Sequence, residues 1–136
     1  MNLKLLAAVT ALVPVVAFAQ STTVSTTNVT KSGSNITSGL QNAAANTYFE
    51  NDGKTLLVVK NNGNTNITAT VKTAQLTLSK EGYSTAILTD EAVTVPSNST
   101  VLIGPLPTTQ WNQPSGTVRV TMSDATNVSA TAKRLR

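Results

Sequence analysis

The chain contains no cysteine and no histidine. Structural zinc held by thiolate or imidazole ligands is therefore excluded, and so are catalytic Cys–His pairs and Ser–His–Asp triads. Its 136 residues suit one domain rather than two. Without disulfides, a domain of this size depends on its hydrophobic core or on partner subunits for stability.

Charged and aromatic residues are also scarce, at 12% and 4% of the chain. The net charge is +4, and the basic residues before the C-terminus are dispersed and form no basic stripe. Nucleic-acid binding requires a basic patch, often with aromatic side chains on which bases stack. The sequence therefore predicts no nucleic-acid partner, and threonine, serine and asparagine must form most of the surface.

The acidic residues are scattered rather than clustered. Four of them have the chemistry of Ca²⁺ ligands, namely Asp52, Asp90, Glu91 and Asp124. No loop repeats carboxylates at alternate positions, as a calcium loop would, and solvated turn residues are the simpler interpretation. Glu50 and Asp52 adjoin a turn with no nucleophile near them, so a general acid–base pair is not indicated. The sequence predicts no catalytic residue, no metal site, no cofactor and hence no enzyme.

Residues 1–20 have the pattern of a secretory signal peptide. Lys4 precedes an apolar run at residues 5–16, and Ala17-Phe18-Ala19 matches the small-x-small cleavage pattern. The apolar run is shorter than the roughly 20 residues that a membrane span requires, so no membrane contact is predicted for the mature form. The alternative is an uncleaved apolar arm that packs on a neighbouring subunit.

The rest of the chain consists of short apolar segments separated by turn residues. The central segment is residues 56–59, with Asp52-Gly53 before it and Asn62-Gly63 after it, and both dipeptides favour tight turns. Four consecutive apolar residues predict a strand that is covered on both faces. Residues 66–73 and 116–122 alternate apolar and polar side chains, which is typical of strands with one buried face.

Turn signals recur about every 8–12 residues, and no segment has the period of a long amphipathic helix. This spacing predicts an all-β fold, a single antiparallel β-sandwich of the jelly-roll or immunoglobulin-like type. The predicted organisation is a leader at residues 1–20, an extended polar arm or loop at residues 21–47, and the sandwich domain at residues 48–136.

The residues that we consider candidates for an interface are Trp111, Tyr83, Lys133, Arg134 and Arg136. Trp111 stands in a polar segment between two prolines, where an aromatic ring can anchor a protein contact or stack on a sugar. The same ring could instead fold back and close one end of the sandwich, and the sequence leaves both interpretations open. The basic residues form a short tail, which is expected to be solvated or to meet an acidic patch on a partner.

Five segments carry a further signal through their order and spacing, at residues 49–61, 93–96, 102–107, 116–121 and 132–135. Together they resemble a family of small phage virion proteins, the head decoration or minor capsid proteins, over residues 24–135. The resemblance implies a β-sandwich on the capsid exterior that binds the lattice of the major capsid protein and stabilises the head. It implies no enzyme activity and no cofactor.

Self-association is also expected. The predicted core consists mainly of mid-sized aliphatic residues, which should offset the conformational entropy of the chain only narrowly. Contacts with further copies would cover the threonine-rich faces and the sheet edges. A trimer is preferred, because the resemblance points to three-fold positions of a capsid lattice.

The leader favours a different interpretation, because phage heads assemble in the host cytoplasm and need no secretion signal. Under this alternative the chain is an exported β-sandwich module at the cell surface or in the periplasm, which recognises protein or glycan. Cleavage after Ala19 would release it as a secreted or periplasmic protein. A mature chain starting at Gln20 supports export, and an intact Met1 inside virions supports the capsid protein.

Overall fold

The turn-punctuated segments form twelve strands and one short helix in the computed structural model, which describes residues 20–75, 77–78 and 86–136. The strands are β1 (Ser21–Thr23), β2 (Thr26–Asn28), β3 (Gln41–Asn42), β4 (Asn46–Glu50), β5 (Thr55–Asn61), β6 (Ile67–Lys72), β7 (Thr77–Leu78), β8 (Ala86–Ile87), β9 (Glu91–Val95), β10 (Ser99–Ile103), β11 (Thr117–Met122) and β12 (Val128–Arg134). Helix α1 (Thr108–Trp111) lies between β10 and β11. No helix in these described ranges has the length and apolarity needed to cross a membrane.

Two five-stranded sheets pack face to face. Sheet A has the strand order β1-β4-β11-β6-β9, and sheet B has the order β10-β5-β12-β2, with β3 also paired to β12. Strands β7 and β8 form a separate two-stranded ladder. The predicted β-sandwich is confirmed. Its sheets are mixed rather than purely antiparallel, because β1 pairs parallel with β4 and β2 pairs parallel with β12.

The N-terminal part of the predicted polar arm belongs to both sheets. Strand β1 lies at an edge of sheet A, and β2 lies at an edge of sheet B. Val24 stands between the two strands and is buried in the core. The segment is extended, as predicted, but it is hydrogen-bonded along β1 and β2. Its single buried apolar side chain lies where the chain passes from one sheet to the other.

The core lies between the sheets and follows the period-two pattern of the strands. In β6, Ile67, Ala69 and Val71 are buried, while the threonines between them are only partly buried. Strand β5 differs, because Val58 is also fully buried although Leu57 and Val59 already face the core. The predicted strand with two covered faces is therefore confirmed at β5.

Residues 29–40, which connect β2 to β3 and are called the covering segment below, cover the part of the outer face of sheet B that lies at β12. Lys133 of β12 reaches Ser38 of this segment, and a Cβ atom on Gly39 would lie 3.6 Å from Oγ1 of Thr131. Thr131 is fully buried for this reason, although its position in β12 alternates with the core residues Ala130 and Ala132. Thr131 and Lys133 are thus buried although they lie on the outer face of the sheet.

Candidate interaction surfaces

Trp111 lies inside the protein at one end of the sandwich. Its side chain is 6% exposed and belongs to the same core cluster as Phe49 and Leu106. Pro107 starts the turn that places it, because the carbonyl of Pro107 accepts bonds from the N–H groups of Gln110 and Trp111, at 3.4 and 3.3 Å. This placement matches the interpretation in which the indole closes one end of the sandwich, and it leaves little of the ring for a partner.

Two asparagine side chains fix the segment that carries Trp111. The amide nitrogen of Asn51 donates to the carbonyl of Leu106 at 3.0 Å and to Oδ1 of Asn112 at 2.7 Å. The amide nitrogen of Asn112 donates in return to the carbonyl of Asn51 at 2.7 Å. This reciprocal pair joins the β4–β5 turn to the end of α1, so the segment that carries the indole is held by partly buried hydrogen bonds as well as by packing.

An equivalent asparagine stands at the other end of β5. Asn61 donates through its amide nitrogen to the carbonyls of Thr65 and Pro96, at 2.8 and 3.2 Å. At both ends the side-chain oxygen accepts the N–H of the glycine two residues later, from Gly53 at 3.1 Å and from Gly63 at 2.9 Å. An aspartate could accept but not donate, so asparagine is required for both roles.

These asparagines were missed by the sequence analysis, which used only the Asp-Gly and Asn-Gly dipeptides beside them. The signal was present as an Asn-x-Gly triplet at each end of the central strand, Asn51-Asp52-Gly53 and Asn61-Asn62-Gly63. An Asn side chain that accepts from the backbone two residues later forms an Asx-turn. That the amide would also reach carbonyls distant in sequence could not be read from the triplet.

Lys133 is buried, with 3% of the residue exposed. Its ammonium group donates to Oγ1 of Thr27 at 2.8 Å, and to the carbonyl oxygen and Oγ of Ser38 at 2.7 and 2.9 Å. An ammonium group has three N–H donors, so these acceptors satisfy it. The expectation of a solvated tail is wrong for Lys133, because the covering segment lies over its position in β12.

The remaining interface candidates lie apart. Nε of Arg134 is 3.0 Å from Oδ2 of Asp52 in an ion pair that lacks the alignment of a hydrogen bond, and Nη2 is 3.6 Å from Oε2 of Glu50. Arg136 is exposed and lines an open groove of about 460 Å³ with Val29, Thr30, Lys31 and Leu135. Tyr83 lies outside the described residues. The described candidates therefore do not form one patch.

The three described aspartates are bound into turns and ion pairs. Hydrogen bonding by the Lys72 ammonium, followed by the N–H of Thr73, holds the pKa of Asp90 below its ordinary value. The backbone N–H of Lys54 lowers the pKa of Asp52, and the N–H of Thr126 lowers that of Asp124. Within the described ranges no three acidic residues come together as metal ligands would.

We expect the stability of the protein to fall on acidification, in part through Asp90. Because the folded-state pKa of Asp90 lies below 3.8, the ion pair stabilises the fold above that pH and is lost as the pH falls through the lowered value. The urea midpoint of the wild type should decrease below about pH 4, and that of Asp90→Asn should decrease less. Glu91→Gln, at an exposed neighbour in no ion pair of the described residues, is the control. An unchanged acid response in Asp90→Asn would contradict the assignment.

The outer face of sheet A is a broad polar surface. Cross-strand partners form a row of Tyr48, Arg119 and Lys72, and the next row pairs Thr121 with Thr70. All five residues are partly exposed. Ala92 and Thr94 of β9 continue this face and are exposed. The face carries mainly hydroxyl groups with few charges, which suits extended contact with another polar protein surface.

The described surface carries the open groove beside Arg136 and a second one. Its second groove, of about 350 Å³, is open and lined mostly by asparagine, alanine and serine. Comparisons with models of protein families, with curated proteins and with solved structures found no match for this chain.

Proposed function

We propose that the protein is a capsid decoration protein that binds the outside of an assembled phage head and stabilises it. The observation that carries the proposal is the polar outer face of sheet A, a row of partly exposed side chains that carries mainly hydroxyl groups. Such a face suits adhesion rather than catalysis. The resemblance of residues 24–135 to head decoration proteins supplies the partner, the lattice of the major capsid protein.

The mechanism would be bridging. A rigid sandwich that touches more than one shell subunit converts several weak contacts into one strong attachment, because each contact raises the effective concentration of the next. Threonine side chains fixed on strands lose little rotamer entropy when they are covered. The protein would therefore stiffen the head without any single dominant contact.

The test is binding of the recombinant protein to expanded heads of its own phage, followed by the temperature at which the heads disrupt. We expect bound protein to raise that temperature. Thr70→Glu should weaken binding about tenfold or more, because it puts a longer, charged and strongly hydrated side chain into a face that must lie flat against the partner. Thr65→Glu, in the exposed turn before β6, is the matched control and should bind as the wild type does.

Failure of the wild type to bind these heads would defeat the proposed function. Undiminished binding of Thr70→Glu would assign the contact to a different surface of the sandwich.

The second candidate is an exported module that recognises protein or glycan, and the signal-peptide pattern of residues 1–20 favours it. Under this alternative the sheet A face would contact a ligand outside the cell or in the periplasm. The intact mass of the protein isolated from its native source decides between the two. A chain beginning at Gln20 would support export, whereas an intact Met1 within purified virions would support the decoration protein.

A further inference from the structure

The edges of the two sheets differ in how they are protected against pairing with another strand. Strands β1, β2 and β3 are only two or three residues long. Strand β9 begins at Glu91, beside Asp90, and ends before Pro96. Short length, charge and proline are the usual means of blocking an edge. Strand β10 has five residues, no charge and no proline, and its register with β5 is unbroken.

The pairing of β5 with β12 shows which N–H and C=O groups of β10 bond to β5 and which point away from the sheet. Asn62 donates its N–H to the carbonyl of Asn127 at 2.9 Å, so the even-numbered residues of β5 bond toward β12. The odd-numbered residues consequently bond to Ser99, Val101 and Ile103 of β10. The N–H and C=O groups of Thr100 and Leu102 point away from the sheet, and they have no hydrogen-bond partner in the described part of the chain.

The side chains of these two residues are also uncovered. Leu102 is 48% exposed and Thr100 is exposed, both on the outer face of sheet B. Leu102 lies opposite Val58, which is fully buried, but Leu102 itself has no strand on its other side to cover it. A further strand would extend the backbone ladder and would cover Leu102 at the same time.

We propose that β10 pairs with β10 of a second copy of this chain, antiparallel about a two-fold axis at Val101. In this register Thr100 lies opposite Leu102 of the partner subunit, and the outward backbone groups form about four hydrogen bonds. Ser99 lies opposite Ile103 of the partner subunit, so the strands match without overhang. Because β10 carries no charge, no like charges meet directly along the pair.

A second copy fits this edge because the strand complements itself. The two-fold axis places Leu102 opposite a threonine on each side of Val101. The two Leu102 side chains, one from each subunit, become diagonal neighbours on the same face. An isologous contact of this kind closes with two subunits and leaves no free β10 edge. The pairing does not depend on head binding, and it is two-fold, whereas the resemblance to decoration proteins implies a trimer.

Sedimentation equilibrium of the purified protein at about 50 μM tests the pairing, and the wild type should have twice the mass of its chain. Leu102→Pro should be monomeric, because it removes only an N–H that points away from β5. Thr94→Pro is the matched control on β9. The N–H of Ser123 donates to the carbonyl of Thr68 at 2.9 Å, so the even-numbered residues of β6 bond toward β11. The odd-numbered residues of β6 therefore bond to β9, through its odd-numbered residues such as Val93. The N–H of Thr94 therefore also points outward, and Thr94→Pro should remain a dimer.

Leu102→Lys keeps every backbone group and tests the pairing should the proline variant fold poorly. It should weaken self-association about tenfold or more, because two ammonium groups would face the same junction. A wild-type monomer or trimer, a stable Leu102→Lys or Leu102→Pro dimer, or a monomeric folded Thr94→Pro would each overturn the proposal. Head binding is measured separately, so its failure would leave these outcomes unaffected.

Discussion

Replacing Lys133 by glutamate is expected to destabilise the folded protein by about 3–5 kcal/mol. The ammonium group is buried and bonded to Thr27 and Ser38, whereas a carboxylate there would face the carbonyl oxygen of Ser38. An unpaired charge buried beside a like partial charge is among the larger single-residue penalties. A solvated tail at the same position would predict a change within about 0.5 kcal/mol.

Lys133→Met is the matched variant, because it keeps the aliphatic stem and removes the charge. Ser38 is an exposed residue, so water can replace the ammonium group at its oxygen atoms. Global stability should therefore change by only about 1 kcal/mol. The covering segment, residues 29–40, should exchange its amide hydrogens faster, since its hydrogen bonds to Lys133 are lost.

Urea unfolding followed by the fluorescence of Trp111 gives the free energy of unfolding of each variant. If Lys133→Glu loses less than about 1 kcal/mol of folding stability, far below the expected loss, the burial of Lys133 is contradicted.

Truncating Trp111 to alanine is expected to cost about 3–5 kcal/mol of folding stability. Trp111 is 6% exposed and belongs to the core cluster that includes Phe49 and Leu106. Alanine would leave a cavity that α1 cannot fill by moving inward, because the Asn51–Asn112 bonds hold the segment in place. If Trp111 were instead an exposed anchor for a partner, binding would be lost and stability would hardly change.

The Trp111→Ala measurement requires circular dichroism, since the variant has no tryptophan. Thr109→Ala is the control, at an exposed position of the same helix, and should change stability by no more than about 0.5 kcal/mol. The folding stability of Trp111→Phe should lie between those of Trp111→Ala and Thr109→Ala, because the smaller ring fills part of the cavity. A fully stable Trp111→Ala that no longer binds heads would restore the tryptophan as an interface residue.

The sequence by itself determined the local structure and the layers of this protein. Alternation in residues 66–73 and 116–122 predicts strands with one buried face, and the apolar run at residues 56–59 predicts a strand with two. Those strands are β6, β11 and β5. Turn residues on either side of β5 set its length. These features depend on neighbours in the chain, so a single sequence is enough to show them.

Only the tertiary structure decided what lies against each face. Lys133 occupies a position whose period-two pattern predicts an outward side chain, and it does point out of sheet B. It is buried because Ser38, 95 residues earlier in the chain, crosses that face. Trp111 lies in a polar segment, yet the Asn51–Asn112 bonds turn it inward. Alternation reports the direction of a side chain, whereas its burial depends on segments distant in sequence, and no local pattern encodes that approach.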